Sequence, residues 1–457
     1  MVDDAVERVR AANGGENGAR IYLLLLPVLP LLQRSGAFLS FLAGHRQRVP
    51  LRAMSDAPGG SGSAQTAPEV VIVGGGVMGC TTAYFLAEAG MRVMLLEQGR
   101  IGATPAASGA SAAIVEALAG NPEPLAQQAQ LSRRILEKLA PILLQDTGID
   151  IEWQRLGTIR LALSQREAES LKSHVADFYA ALDEPTEWLE PAELRRREAA
   201  VPERVAGGLL VPSTNGLYAP KYVRALAMSA ADRGATVLQG VSVTGFQYEG
   251  ERVTAVRTSE GDVPCGAVVV AAGAWTGVVS RWLGKPLPIV PQRGQIMALA
   301  PVPGRPRVAH VLHGPGGYII PKANGTAVAG ATHEFVGFDA RVTTYGMKFL
   351  ADLALRLAPG LETAGVKHVW AGFRPVLMTD EVEPDASGTW PGRPPALPPV
   401  GRVPGLDNGY VASGHGAIGV TVSAAVGRLL SQLILGERLE QSLAPFDPIG
   451  VMAPEAT

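Results

Sequence analysis

The sequence predicts an α/β protein: one domain of parallel strands with covering helices, and a second domain with a mixed sheet. Three observations carry this expectation. Residues 69–118 read as strand, glycine turn, helix and strand in direct succession. Strands and helices then interleave along the chain, which is how a sheet comes to be covered by helices. The stretch "AVVVAAG" (267–273) is apolar or glycine throughout, as a central strand buried on both faces must be.

Composition bounds the rest. The chain has 457 residues, enough for two or three cores. Hydrophobic residues make up 47% and charged residues 18%, the balance of a folded globule. A net charge of −2 offers no bulk attraction to nucleic acid or to an anionic membrane. The two cysteines, Cys80 and Cys265, read as buried thiols in a reducing compartment, so the expected location is cytoplasmic. The histidines show no HExxH-type spacing, and no metal is expected.

The elements follow in chain order. Residues 1–68 are expected to be an extension, disordered or upstream of the true start. Within it "IYLLLLPVLPLL" (21–32) carries two prolines and falls short of the roughly 20 apolar residues of a membrane helix. A start at Met54 accounts for this segment best, with a signal or membrane anchor as the alternative. Helical stretches lie near 125–146 and 165–183, and "LGTIRLAL" (156–163) alternates as a strand does. "PKYVRALAMSAADRG" (220–234) is a helix with a glycine stop. Residues 235–275 form short strands separated by turn signals, and 286–335 are again β-rich. "GMKFLADLALRLAPGL" (346–361) is helical, 383–399 is a Pro/Gly-rich loop, and "GYVASGHGAIG" (409–419) leads into a last helix ending near 436.

The stretch "VVIVGGGVMGC" (70–80) holds G-x-G-x-x-G at Gly74, Gly76 and Gly79. One glycine permits the tight turn, the next lets a pyrophosphate approach the backbone, and the third lets the helix pack on the strand. The helix N-terminus suits phosphate because its N–H groups are free and its dipole is positive there. The following strand, "RVMLLE", ends in Glu97, 23 residues after Gly74. A carboxylate there accepts hydrogen bonds from both ribose hydroxyls and repels a 2′-phosphate. The turn therefore calls for an ADP moiety, of FAD or of NAD.

Three features favour FAD. The run "ATPAASGASAAI" (103–114) is small enough for backbone to pack against a pyrophosphate or a flavin edge. "VVVAAGAW" (268–275) brings a second stretch of backbone, turning at Gly273, toward the dinucleotide. "SGHGAIGVT" (413–421) opens the last helix, whose N–H groups suit the electron-rich edge of a flavin.

On these blocks, with "PQRGQ" (291–295), "GYIIPK" (317–322), "AGATHEFVGFD" (329–339) and "WAGFRP" (370–375), the chain resembles the glycine oxidase/D-amino acid oxidase (DAO) family of FAD-dependent oxidoreductases, most of all its bacterial glycine oxidase branch. The resemblance covers about 69–440. It implies an FAD-binding Rossmann-like domain of glutathione reductase type, made of 69–150, 205–285 and 395–440. It also implies a substrate domain of 151–204 and 286–394, with 441–457 as a tail. The implied reaction is hydride transfer from the Cα of glycine, sarcosine or a small D-amino acid to flavin N5. The imine formed hydrolyses to an oxo acid, and O2 is reduced to hydrogen peroxide. The alternative is a dehydrogenase that hands electrons to a quinone or a protein. A role in thiamine biosynthesis follows from the same branch, and homo-oligomer formation stays open.

The resemblance also assigns residues. Arg374 grips the substrate carboxylate, Tyr318 lies over the substrate, and His333 lines the pocket, making it more polar or titrating near neutral pH. For non-covalent FAD it implies Gly74, Gly76, Val77, Met78, Gly79, Glu97, Gln98, Ala107, Ser108, Ala112, Ala113, Ile114, Val243 and Gly273. His415, Gly416, Ala417, Ile418, Gly419, Val420 and Thr421 complete the flavin end, His415 through its backbone and not as a base. Arg293 is expected to hold the sheet above the flavin, or to serve a purely structural role. Glycine oxidases carry an arginine where this chain has Ala417, which leaves room for larger or secondary amines. The loop at 379–399 is a second departure.

Overall fold

The structure, a computed structural model, describes residues 67–118, 121–378 and 397–451. The expectations for 1–66 and for the loop at 379–396 lie outside the described residues. All the described residues belong to one compact unit, Ala64–Thr457.

A six-stranded sheet runs in the order Val400–Arg402, Gly409–Ala412, Ala267–Val270, Val70–Val73, Val93–Glu97, Thr236–Gln239. Its four central pairings are parallel, and only the edge strand Val400–Arg402 runs antiparallel. Both faces are covered, which is why "VVIV" is apolar throughout. Val70 and Ile72 point into a core shared with the helices Val77–Glu88, Glu123–Thr147, Ala219–Asp232 and Gly419–Leu435. Val71 and Val73 point the other way, against Phe246, Val253 and Val256 of a three-stranded antiparallel sheet, Val243–Pro264. Two residues apart along a strand means the same face.

An eight-stranded sheet runs in the order Gly365–Leu377, Ile289–Ala300, Ala327–Gly330, Gly317–Pro321, Val311–Gly314, Thr158–Ala162, Gly207–Val211, Glu187–Leu189. One face is apolar. Ile159, Met297, Leu312 and Ile319 pack there with Leu350, Leu353 and Leu357 of the helix Thr344–Leu357. The opposite face carries chemistry. The register aligns Arg160, His313, Tyr318, Gly330, Ile296 and Trp370 in one row across the strands. That row follows from the alternation of each strand: Ile159, Leu312, Ile319, Ala329 and Met297 stand beside these residues and face the other way.

The turn of the first unit forms for steric reasons. Gly74 has φ 112°, a conformation that glycine adopts without penalty, and a Cβ there would stand 2.5 Å from the Ala271 carbonyl oxygen. A Cβ at Gly79 would collide with the Gly74 carbonyl oxygen, so the helix can lie close on the strand. Among the described residues no helix is long and apolar enough to cross a membrane.

Candidate active site

A cavity of about 680 Å³ is lined by the glycine turn of the six-stranded sheet and by the chemistry-bearing face of the eight-stranded one. Of the residues singled out in the sequence, Gly74, Gly76, Val77, Met78, Glu97, Gln98, Ala107, Ser108, Ala112, Ala113, Ile114, Val243, Gly273, every residue from His415 to Thr421, Tyr318, His333 and Arg374 line it. Gly79 does not; it sits behind, where the helix meets the strand.

The turn end is built from backbone. A Cβ at Gly76 would meet no protein atom nearer than Ser108 Oγ at 3.5 Å, so protein packing leaves that position open on the cavity. The helix Val77–Glu88 has no cap from its own N-cap residue, Gly76. Ser108 supplies one across 31 residues, its Oγ accepting from Val77 N–H at 2.9 Å. The Glu97 carboxylate accepts from Gly75 N–H and from Gly99 N–H, each at 2.7 Å. An ionised carboxylate has about four acceptor sites, so two remain.

The small-residue run is tied at several points. Trp370 Nε1 donates to the Ala110 carbonyl at 3.1 Å, Lys322 Nζ donates to the carbonyls of Ala112 and Leu217, and Thr421 Oγ1 donates to the Ile114 carbonyl at 2.7 Å. Ala113 is held at φ 57°, in the left-handed region, on the cavity wall. Such a conformation is costly for a residue with a side chain and persists where the surroundings fix the backbone.

The last helix, Gly419–Leu435, begins at the cavity, so its positive end and free N–H groups face inward. His415 lies just before it, only 4% exposed, and neither ring nitrogen has a hydrogen-bond partner among the described residues. Burial lowers its pKa to about 3, so the ring is neutral at ordinary pH.

On the sheet face the central group is Arg374. Its Nη1 donates to the Thr332 carbonyl at 2.8 Å and to Gln292 Oε1 at 3.2 Å. Among the described residues it forms no ion pair with a carboxylate. Burial lowers its pKa, opposed by the nearby Tyr318 and Glu334, but a guanidinium stays charged regardless. Tyr318 shares this environment: burial raises its phenol pKa and the Arg374 charge opposes the rise. His333 faces the cavity, and its Nδ1 lies 3.0 Å from Gln292 Oε1. Its ring is exposed to the cavity but crowded by protein, and burial first, then the Arg374 charge, bring its pKa down to about 3. Of the two expectations for His333, this favours polar lining over titration near neutral pH.

Arg293 is not on the cavity. It is 4% exposed and pairs with Glu334 at 2.5 Å and with Asp339 at 3.3 Å. It also donates to the carbonyls of Asp339 and Arg341, so it pins the segment 334–341 to the sheet. Phe338 of that segment stacks on Trp275, which lines the cavity, at 5.0 Å between ring centroids.

The sequence reading missed Trp275, Glu116 and His313, all of which line the cavity. Trp275 lay inside the quoted "AAGAW" block and its aromatic side chain was the available signal. Glu116 and His313 carried none: strand pairing brings His313 there, and Glu116 follows the short strand Ile114–Val115.

The arrangement fits FAD. An acceptor carboxylate near the glycine turn, an uncrowded glycine at a helix N-terminus, a run of small residues and a second helix start aimed inward match ribose, pyrophosphate and flavin in turn. Fold and cavity together define a Rossmann-type dinucleotide-dependent oxidoreductase with a second sheet facing the cavity. The DAO family, described as "FAD dependent oxidoreductase", matches residues 69–433, and the chain belongs to it. It is similar to the glycine oxidase of Geobacillus kaustophilus (strain HTA426), 33% identical over 387 residues that cover 83% of this chain and 96% of that protein. A crystal structure of glycine oxidase from Geobacillus kaustophilus aligns with a TM-score of 0.74 at 31% identity, covering 83% of this chain and 98% of that one. A crystal structure of iminodiacetate oxidase from Chelativorans sp. BNC1 aligns with a TM-score of 0.74 at 26% identity, covering 83% and 98%. The protein is an FAD-dependent oxidoreductase of the glycine oxidase type, acting on CH–NH2 or CH–NH groups.

Proposed function

We propose that the protein oxidises a small amino acid or its N-substituted derivative to the imine, which hydrolyses to an oxo acid, with O2 taking the electrons as hydrogen peroxide. The observation that carries this reading is Arg374: a guanidinium on the cavity wall, largely withdrawn from solvent, that forms no ion pair with a carboxylate among the described residues. A buried charge without a counter-ion is costly, and a ligand carboxylate removes that cost. The guanidinium fork grips the carboxylate at two points and so fixes the adjoining carbon.

FAD, when bound, would supply the acceptor for the two electrons and the hydrogen leaving that carbon. Glu97, Val77, Met78, Ser108 and the backbone of 415–421 would hold it. Tyr318 closes the substrate from the sheet side. His333, kept neutral, adds a polar contact without a second charge. No side chain need act as a strong base when the amine enters neutral, so positioning carries most of the catalysis. Ala417 adds no second guanidinium, which favours substrates larger than glycine.

Anaerobic addition of glycine, sarcosine and single amino acids to the purified yellow protein tests the reading. A matching substrate bleaches the flavin absorbance, and air restores it with stoichiometric peroxide. Bleaching without reoxidation by air transfers the reading to a dehydrogenase. No bleaching by any amine overturns it.

A further inference from the structure

We propose that Glu116 and His313 form a second subsite, which selects amino acids whose side chain or N-substituent ends in an ammonium or guanidinium group. The proposal rests on Arg374 as the carboxylate clamp and names the substrate class of that same site.

The sheet register places the subsite. His313 pairs directly with Tyr318 across the hairpin, and their rings lie 5.8 Å apart between centroids. His313 is thus one strand, about 4.8 Å, beyond the residue that covers the substrate. Glu116 Oε1 lies 3.7 Å from His313 Nε2. Both residues line the cavity, so the polar wall continues past the room that glycine needs.

The charge distribution sets the sign. Arg160 Nη2 approaches Glu116 Oε1 at 3.4 Å, and Thr158 Oγ1 donates to Glu116 Oε2 at 3.4 Å. Arg160 is on the next strand, in register with His313, and its Nε donates to Tyr179. Arg160 does not line the cavity, whereas Glu116 does. The pair therefore turns its carboxylate end to the cavity. His313 adds no positive charge: burial holds its pKa at about 4, so the ring is neutral. Its Nε2 is buried and has no hydrogen-bond partner among the described residues. Such a wall attracts a cation and repels a second carboxylate, and specificity is that difference.

Steady-state kinetics of the holoenzyme test this with lysine, norleucine and glutamate in both enantiomers, and with glycine and sarcosine. Norleucine has the lysine skeleton without the terminal nitrogen. For the accepted enantiomer, kcat/KM for lysine is expected to exceed that for norleucine by about tenfold or more, through KM, and glutamate to fall below norleucine. Glu116→Gln brings the lysine-to-norleucine ratio to within about threefold of one. His313→Phe lowers the same ratio and serves where the Glu116 variant does not fold. Lysine no better than norleucine in the unaltered enzyme overturns the subsite, as does a ratio that survives either folded variant. In those cases turnover of glycine or norleucine leaves the amine oxidation itself standing. Failure of every amine to reduce the flavin overturns both readings.

Discussion

Arg374 and Gln292 face each other across an antiparallel strand pair, and Arg374 Nη1 donates to Gln292 Oε1 at 3.2 Å. His333 Nδ1 meets the same oxygen at 3.0 Å. A second bond, to the Thr332 carbonyl, holds the guanidinium from another strand connection. The fork is thus fixed by neutral acceptors, and neither of them cancels its charge. Gly294 makes room for it: a Cβ there would stand 2.5 Å from Arg374 Cζ.

Removing the fork separates substrate binding from cofactor binding. Arg374→Ala is expected to keep its flavin spectrum and lose about 100-fold or more in kcat/KM, the cost of truncating one partner of a buried charge pair. Arg374→Lys restores part of the loss, since a single ammonium cannot make the two-point grip. Flavin content and substrate kinetics check both.

The glycine turn gives a paired test of packing against binding. Gly79→Ala drives a methyl into the Gly74 carbonyl, so the helix must move off the strand. A loss of about 1–3 kcal/mol in stability is expected, read by chemical denaturation. Gly76 has φ −74°, which alanine adopts freely, and its open side faces the cavity. Gly76→Ala is expected to fold with unchanged stability in the cofactor-free protein and to bind FAD at least tenfold more weakly, about 1.4 kcal/mol.

This contrast bears on what the sequence made legible. Gly74, Gly79 and Glu97 stand out because local geometry dictates them within one strand–turn–helix–strand unit. Arg374 and Tyr318 were reached through a family resemblance, since nothing in their spacing shows that 318 and 374 share a face. Glu116 and His313 were illegible for the same reason in stronger form. His313 reaches the cavity because its strand pairs in parallel with Thr158–Ala162, some 150 positions earlier, and in antiparallel with Gly317–Pro321. The alternation of each strand was readable. Which strands lie side by side was not, because long-range pairing depends on the whole core.

Acid should weaken the fold through its buried histidines. His415 ordinarily titrates near 6.5 and is lowered to about 3 by burial in the folded state. Below pH 6.5 the unfolded chain binds a proton that the folded one refuses, so stability falls as pH drops from 6.5 toward 3 and is full above 6.5. At pH 5 this group alone costs about 2 kcal/mol relative to pH 8. His415→Gln is expected to flatten the dependence of denaturation midpoint on pH between 6.5 and 4. An unchanged slope would show that the ring is hydrated and free to protonate.

Arg293 supplies the last test, because its work is done at a distance from the cavity. It ties Glu334, Asp339 and the Arg341 carbonyl to the sheet, and through that segment sets Phe338 on Trp275. Arg293→Ala leaves Glu334 without its cation beside the strand, though Gln295 and Thr332 still donate to it. Breaking a buried pair from one side costs about 3–5 kcal/mol, and removing both partners costs less. Arg293→Ala is therefore expected to lower the denaturation midpoint steeply, and the double variant with Glu334→Gln to recover part of the loss. With the segment released, Phe338 leaves Trp275 and tryptophan emission changes in the folded state. A single variant as stable as the parent, with its emission unaltered, would mean that the segment is held by its other contacts alone.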